Sequence, residues 1–212
     1  MARAPLLPDQ ARALERLAAV PALRGFYVAG GSAVACHLHH RESRDVDLFT
    51  SGPFDPAVLA ASFPAWDDLR VSARTDVMLR LELGAVPIDL VGEPYPLLDP
   101  TTPGPAGFAL PSLRDLGTSK LATVASRGLR RDFWDLRAIL GSGIDLLDLA
   151  RAYVKRFSVR ESDLFHVARS LTYFDDAERE SVLPRGLTRP AWQQMKAFFR
   201  REAPRLLEIG PT

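Results

Sequence analysis

Two carboxylates one residue apart, Asp45 and Asp47, follow a glycine pair and a serine, Gly30-Gly31-Ser32, and a lone aspartate stands later in the apolar run Pro87-Ile88-Asp89-Leu90-Val91. Alternation along a strand would turn Asp45 and Asp47 to one face, and two oxygen-rich ligands at that spacing suit Mg²⁺, which takes carboxylates, water and substrate phosphates. Asp89 is the candidate third ligand, because an aspartate among apolar strand residues is costly to bury without a metal or a hydrogen-bond partner. A pair of ions about 3.5 to 4 Å apart on such carboxylates can clamp the attacking and leaving oxygens of an in-line displacement at phosphorus. Asp89 could also accept the proton of an incoming hydroxyl. Gly30 and Gly31 let the backbone approach a phosphate closely, and the Ser32 hydroxyl with the amides that open the next helix would face its negative charge. This is a plan for a nucleoside triphosphate.

The elements that must position these groups can be read from periodicity. Residues 8–20 carry Ala11, Leu14, Leu17 and Ala18 at helical spacing, 26–29 read as a short buried strand broken by Gly30 and Gly31, and 32–40 return to a helical pattern. Residues 45–50 alternate as a strand, 56–62 form a brief helix, and 69–74, 77–83 and 86–91 read as strands joined by turns at Thr75-Asp76 and Gly84-Ala85. The Pro- and Gly-rich stretch 92–111 reads as an ordered loop and a domain boundary. Helices follow: Ser112 capping one that runs to 126, an interruption at Gly128, then 131–140, 145–157, 161–173 and 190–201. The expected fold is α+β, a small mixed sheet over 1–110 followed by a helical bundle over 111–212.

Composition narrows the classes. With 47% hydrophobic and 25% charged residues, and no apolar run near the roughly 20 residues of a membrane span, the chain reads as soluble. Residues 1–10 lack the pattern of a secretory signal, so the expected location is the cytoplasm. The net charge of +1 does not advertise a nucleic-acid binder, and only three of the 27 basic residues are lysines, Lys120, Lys155 and Lys196. Cys36, the single cysteine, sits among Ala33, Val34, Ala35 and Leu38 and reads as a structural thiol. His37, His39 and His40 lack zinc-ligand spacing. Arg41 and Arg44 read as local ion-pair partners, Arg127, Arg130 and Arg131 as a solvated face with a nucleic-acid backbone contact open, and Trp134 as a core anchor.

The combination of Gly31-Ser32, Asp45, Asp47 and Asp89 resembles the DNA polymerase β nucleotidyltransferase superfamily. More narrowly, the runs 29–35 and 40–49, with Lys120, Arg127 and the element Arg131-Asp132-Phe133-Trp134-Asp135, resemble the AbiEii/MenT group of toxin nucleotidyltransferases across roughly residues 25–140. The resemblance implies a polymerase β-like core and a helical half that completes the nucleotide site. It also implies a Mg²⁺-dependent transfer of NMP from NTP, with Lys120 on the triphosphate and Asp135, with Asp132 beside it, as the acidic element. Asp132 and Asp135, three apart on one helix face, could hold Lys120 or Arg131 in place. The acceptor it implies is the 3′ end of tRNA, the outcome arrested translation, and the partner a cognate antitoxin. Residues 141–212 show no motif, which leaves acceptor recognition open. Two other readings stand beside this one. The first is a small-molecule (antibiotic) nucleotidyltransferase, for which Glu161, Asp163, Asp175 and Asp176 could line an acidic pocket; the second is a non-catalytic nucleotide- or RNA-binding module.

Overall fold

The computed structural model describes residues 6–209, so residues 1–5 of the region read for a signal lie outside the described chain. It divides into two compact units between Ser112 and Leu113.

The first unit is built on a mixed sheet. Helix α1 (Pro8–Ala18) leads through a 3₁₀ turn to β1 (Tyr27–Val28), then α2 (Gly30–Leu38), β2 (Val46–Thr50), α3 (Pro56–Ala61), β3 (Leu69–Thr75), β4 (Met78–Leu83), β5 (Val86–Gly92), β6 (Thr102–Pro103) and β7 (Ala109–Leu110). The described strands form one seven-stranded sheet in the order β3-β4-β5-β2-β1-β7-β6. β3, β4 and β5 form an antiparallel meander, β5 runs parallel to β2, and β1 lies antiparallel to β2 and parallel to β7. Strict alternation drives the central strands: Val46 and Leu48 on β2, Leu79 and Leu81 on β4, and Ile88 and Leu90 on β5 are each fully buried. The residues between them therefore stand on the opposite face.

Several expectations need correction. The stripe that α1 buries is Gln10, Ala13, Leu14 and Leu17, with Ala18 exposed, so a polar residue occupies the first position of the apolar face. The α2 helix begins at Gly30, not Ser32, so the glycine pair forms its first turn. The β3–β4 turn is Asp76-Val77, because Thr75 pairs with Met78. Residues 92–111 are not loop alone: β7 extends the sheet beside β1, and β6 borders β7. Strands of two residues carry no readable alternation, and Pro103 is tolerated because β6 is an edge.

The second unit is helical: α4 (Leu113–Ser126), α5 (Arg130–Gly141), α6 (Leu146–Phe157), α7 (Leu164–Thr172), α8 (Asp175–Arg179) and α9 (Arg189–Glu202), with 3₁₀ turns at Glu161–Asp163 and Ala203–Glu208. Phe133 is its centre, with ring centroids 5.1 Å from Phe174, 5.8 Å from Trp192 and 5.4 Å from Phe199. These separations suit tilted and edge-on aromatic contact and lock α5 against α9. The neighbouring Trp134, partly buried, packs against this core as expected, and Phe133 beside it is fully buried. The Ser112 hydroxyl, just ahead of α4, donates to Asp99 at 2.9 Å, which leaves its oxygen able to accept.

Candidate active site

The sheet register puts two of the three predicted carboxylates side by side. Asp47 on β2 is the direct partner of Asp89 on β5 across the parallel ladder. On the far side of β5, Asp89 is the direct partner of Arg80 on β4. A row therefore crosses the sheet as Asp47, Asp89, Arg80, in the positions between the buried aliphatics. Asp45 stands one residue ahead of β2, two before Asp47. All three aspartates are half-buried.

Local structure fixes Asp45 through its backbone. Its carbonyl accepts from Gln10 Nε2 at 3.2 Å and from the Ser43 hydroxyl at 3.3 Å. Gln10 is 1% exposed and its Oε1 also accepts the Leu7 amide at 2.9 Å, so one buried amide side chain closes the start of α1 and tethers Asp45. The Ala29 amide donates to the Asp47 carbonyl at 2.8 Å and holds the entry of α2 against β2.

Gly30 explains how α2 can start so close to the carboxylates. Its φ is +57°, and a Cβ built on it would lie 1.9 Å from Asp47 Oδ2. Only a residue without a side chain lets the Asp47 carboxylate occupy that space. Ser32 is fully buried, and its hydroxyl donates to the Ala29 carbonyl at 3.1 Å. Donation to a phosphate would require that bond to be given up. Gly31, also buried, completes the first turn with them.

Arg80 was not foreseen as part of this site. Its Nε and Nη2 donate to Asp89 Oδ1 and Oδ2 at 2.6 and 2.7 Å, a two-pronged fork on one carboxylate. The fork on Asp89 holds the guanidinium pKa above its ordinary value, and the charges of Asp45 and Asp47 push it the same way. Arg80 thus feels all three carboxylates. The signal was present in the sequence: a two-residue turn at Gly84-Ala85 fixes Leu83 opposite Val86, and counting back puts Arg80 opposite Asp89.

The all-oxygen donor set of Asp45, Asp47 and Asp89 fits a hard cation such as Mg²⁺, and Gly30 provides room for one of the ligands. Among the described residues, no group of three or more His, Cys, Asp or Glu side chains already stands in metal-holding geometry, and the Asp89 carboxylate is bonded by Arg80. His37 points elsewhere, with Nε2 2.8 Å from the Pro111 carbonyl oxygen. Burial pushes the Cys36 thiol pKa up, which disfavours the thiolate and any nucleophilic role.

In the helical unit, Lys120, Asp132 and Asp135 come together. Lys120 Nζ lies 2.8 Å from Asp135 Oδ2 and 3.4 Å from Asp132 Oδ1, and both aspartate side chains are fully buried. The second cation on Asp132 is Arg127, through Nε at 2.9 Å and Nη2 at 3.0 Å. Asp132, Asp135, Lys120 and Arg127 thereby meet at the α4–α5 junction. Arg131, one residue before Asp132 on α5, is half-buried. Of the residues proposed to line an acidic pocket, Asp163 pairs with Arg160 and Asp176 with Arg179, each three residues away, so much of that negative charge is met locally.

Comparison with known proteins identifies the fold and the family. The chain is 30% identical over 207 residues to the uncharacterized protein aq_aa25 of Aquifex aeolicus, covering 96% of this chain and 98% of that protein. Among solved structures it is similar to MenT4, a nucleotidyltransferase toxin of Mycobacterium tuberculosis, with TM-score 0.58 and 17% identity over 95% of this chain and 92% of that one. It is also similar to JHP933 of Helicobacter pylori, with TM-score 0.51 and 18% identity over 95% of each chain. A third likeness is to ANT(2″)-Ia in complex with adenylyl-2″-tobramycin, with TM-score 0.52 and 14% identity over 71% of this chain and 98% of that one. At these identities the structural likenesses establish the nucleotidyltransferase fold. Residues 59–209 match the family described as nucleotidyl transferase AbiEii toxin, Type IV TA system, a span that holds Asp89, Lys120, Asp132 and Asp135 and begins after Asp45 and Asp47. With that match over more than half its length, the chain belongs to the AbiEii family of toxin nucleotidyltransferases.

Proposed function

We propose that this enzyme transfers a nucleoside monophosphate from an NTP to the 3′ end of tRNA in a Mg²⁺-dependent reaction, that the product arrests translation, and that a cognate antitoxin checks it. The observation that carries the reading is the pairing of Asp47 with Asp89 on adjacent parallel strands, beside a glycine that leaves space for the Asp47 carboxylate. Asp45, Asp47 and Asp89 hold the cation, which when bound offsets negative charge on the phosphate oxygens. Asp89 takes the proton of the acceptor hydroxyl as its oxygen bonds to the α-phosphorus, and the bond from that phosphorus to the β-phosphate's bridging oxygen breaks to release pyrophosphate. The amides at the start of α2 face the triphosphate, with Ser32 shaping that turn. The family resemblance assigns Lys120 to the triphosphate and Asp135, with Asp132 beside it, as the acidic element; their spacing on one helix face has them orient Lys120, and Arg131 stands beside the nucleotide.

The test is incubation of the purified protein with Mg²⁺, each of the four NTPs labelled at the α-phosphate, and total tRNA. Label on tRNA that disappears with Asp47→Ala is the expected result. Unlabelled tRNA with all four NTPs refutes the RNA acceptor, and label on an aminoglycoside offered in parallel identifies the small-molecule reaction instead. Undiminished transfer by Asp47→Ala refutes the assignment of the carboxylates.

A further inference from the structure

Asp89 has a partner that its proposed role does not allow it to keep. Both of its oxygens are engaged by the Arg80 fork, at 2.6 and 2.7 Å, so each has one lone pair taken and a guanidinium positive charge stands against the face a cation would approach. The pair lies at the solvent boundary: the Arg80 side chain is 48% exposed and that of Asp89 20%. An ion pair so placed costs little to open, because water receives the released guanidinium. The surrounding charge gives it a reason to form. Asp45, Asp47 and Asp89 bring three carboxylates to one end of the β2–β5 pair, and Arg80, which feels all three, is the positive charge that the adjoining strand turns toward them.

We infer that Arg80 is a removable counter-ion: it holds Asp89 and balances the carboxylates until a divalent cation arrives, and it must let go of Asp89 for that cation to gain its third protein ligand. The inference rests on the metal-site reading above. It makes Arg80 a positioning residue that sets how readily the site admits metal. Its grip is on Asp89, and its charge is felt by Asp45 and Asp47 as well.

The experiment measures Mn²⁺ binding to the intact protein from the paramagnetic resonance signal of the free ion, with no nucleotide present. Arg80→Gln is expected to bind Mn²⁺ about 3- to 10-fold more tightly than the parent, the scale of one unit charge removed from a half-exposed site. Arg70→Gln, which removes an exposed charge from β3 opposite Glu82, controls for net charge and is expected to leave binding unchanged. In an Asp89→Asn background the gain from Arg80→Gln is expected to shrink to the part that Asp45 and Asp47 feel, and an undiminished gain overturns the inference. Arg80→Lys keeps the charge, loses the fork and is expected to fall between; it serves alone if circular dichroism shows Arg80→Gln unfolded. Equal or weaker Mn²⁺ binding by the Arg80 variants overturns the inference. Parent-like Mn²⁺ binding by Asp47→Ala overturns instead the metal-site reading on which it rests.

Discussion

Replacing Gly30 by alanine isolates the contact between α2 and the candidate catalytic carboxylate. Two costs combine. With φ at +57°, an L-residue is held in the left-handed region, which costs about 1–2 kcal/mol. The new Cβ would also stand 1.9 Å from Asp47 Oδ2 and 2.6 Å from its Cγ, whereas ordinary contact begins near 3.4 Å. The carboxylate must therefore move by roughly 1.5 Å, and a displacement of about 1 Å at a reacting centre can cost about 100-fold in rate. Gly25→Ala supplies the control, because Gly25 has φ of +88° and nothing within 4 Å of its built Cβ. It carries the backbone cost alone. Gly25→Ala is expected to lose about 2–8 °C in Tm, at roughly 2–4 °C per kcal/mol for a chain of this size, and Gly30→Ala at least as much. Only Gly30→Ala is expected to lose about 100-fold in transfer of label from NTP, measured below both melting transitions. Activity of Gly30→Ala within about tenfold of Gly25→Ala, a barrier difference of no more than ~1.4 kcal/mol, would refute the claim that the glycine exists to make room for Asp47.

Two further outcomes follow from the helical unit. Lys120→Ala removes the ammonium that the fully buried Asp132 and Asp135 share, and breaking a buried pair in this way is expected to cost about 3–5 kcal/mol in urea denaturation; a loss under about 1 kcal/mol would show that the ammonium is not holding α4 to α5. Glu178, bonded by Lys196 at 2.7 Å and Trp192 at 2.9 Å, has its carboxyl pKa lowered from 4.5 to about 2, chiefly by the Lys196 bond and next by that of Trp192. Because its folded pKa is depressed, its stabilisation is fully present above pH 4.5 and is lost as pH falls through about 2. With the side chain 43% exposed, solvent screening limits the contribution to about 1 kcal/mol. Thermal melts of Glu178→Gln and the parent are therefore expected to differ at neutral pH and to converge at about pH 2; a constant difference across that range would contradict the linkage.

How far the sequence could be read depended on the length of each signal. The α+β class, the β2, β4 and β5 strands, and the main helices were legible because alternation and helical spacing persist over enough residues to be distinctive. The two-residue strands β6 and β7 gave no such signal, and the five-residue α8 was too short to declare itself between α7 and α9. Gln10 was invisible for another reason. It occupies an apolar position of the α1 stripe, and what pulls it inside is a pair of backbone partners, the Leu7 amide and the Asp45 carbonyl, the second 35 residues away. Periodicity cannot show a hydrogen bond over that distance. The buried state of Ser32 was hidden similarly, since a serine after two glycines looks available until the Ala29 carbonyl is seen to accept its proton.

Arg80 shows that composition can conceal what register reveals. In Met78-Leu79-Arg80-Leu81-Glu82-Leu83 the charged residues look like an ordinary solvent face, and nothing in the strand itself distinguishes Arg80 from Glu82. The distinction comes from the turn. Leu83 pairs with Val86 across Gly84-Ala85, with Gly84 at φ +60°, so each step back along β4 is matched by a step forward along β5 until Arg80 meets Asp89. The same β5 register sets Asp89 beside Asp47. A slip of one residue would turn Asp89 toward the buried aliphatic face and remove it from both partners at once. The aliphatic face resists that slip, because Leu79, Leu81, Ile88 and Leu90 are all fully buried. Burial on one side of the sheet thus specifies charge placement on the other, and a glycine turn with no chemistry of its own determines which cation Asp89 meets first.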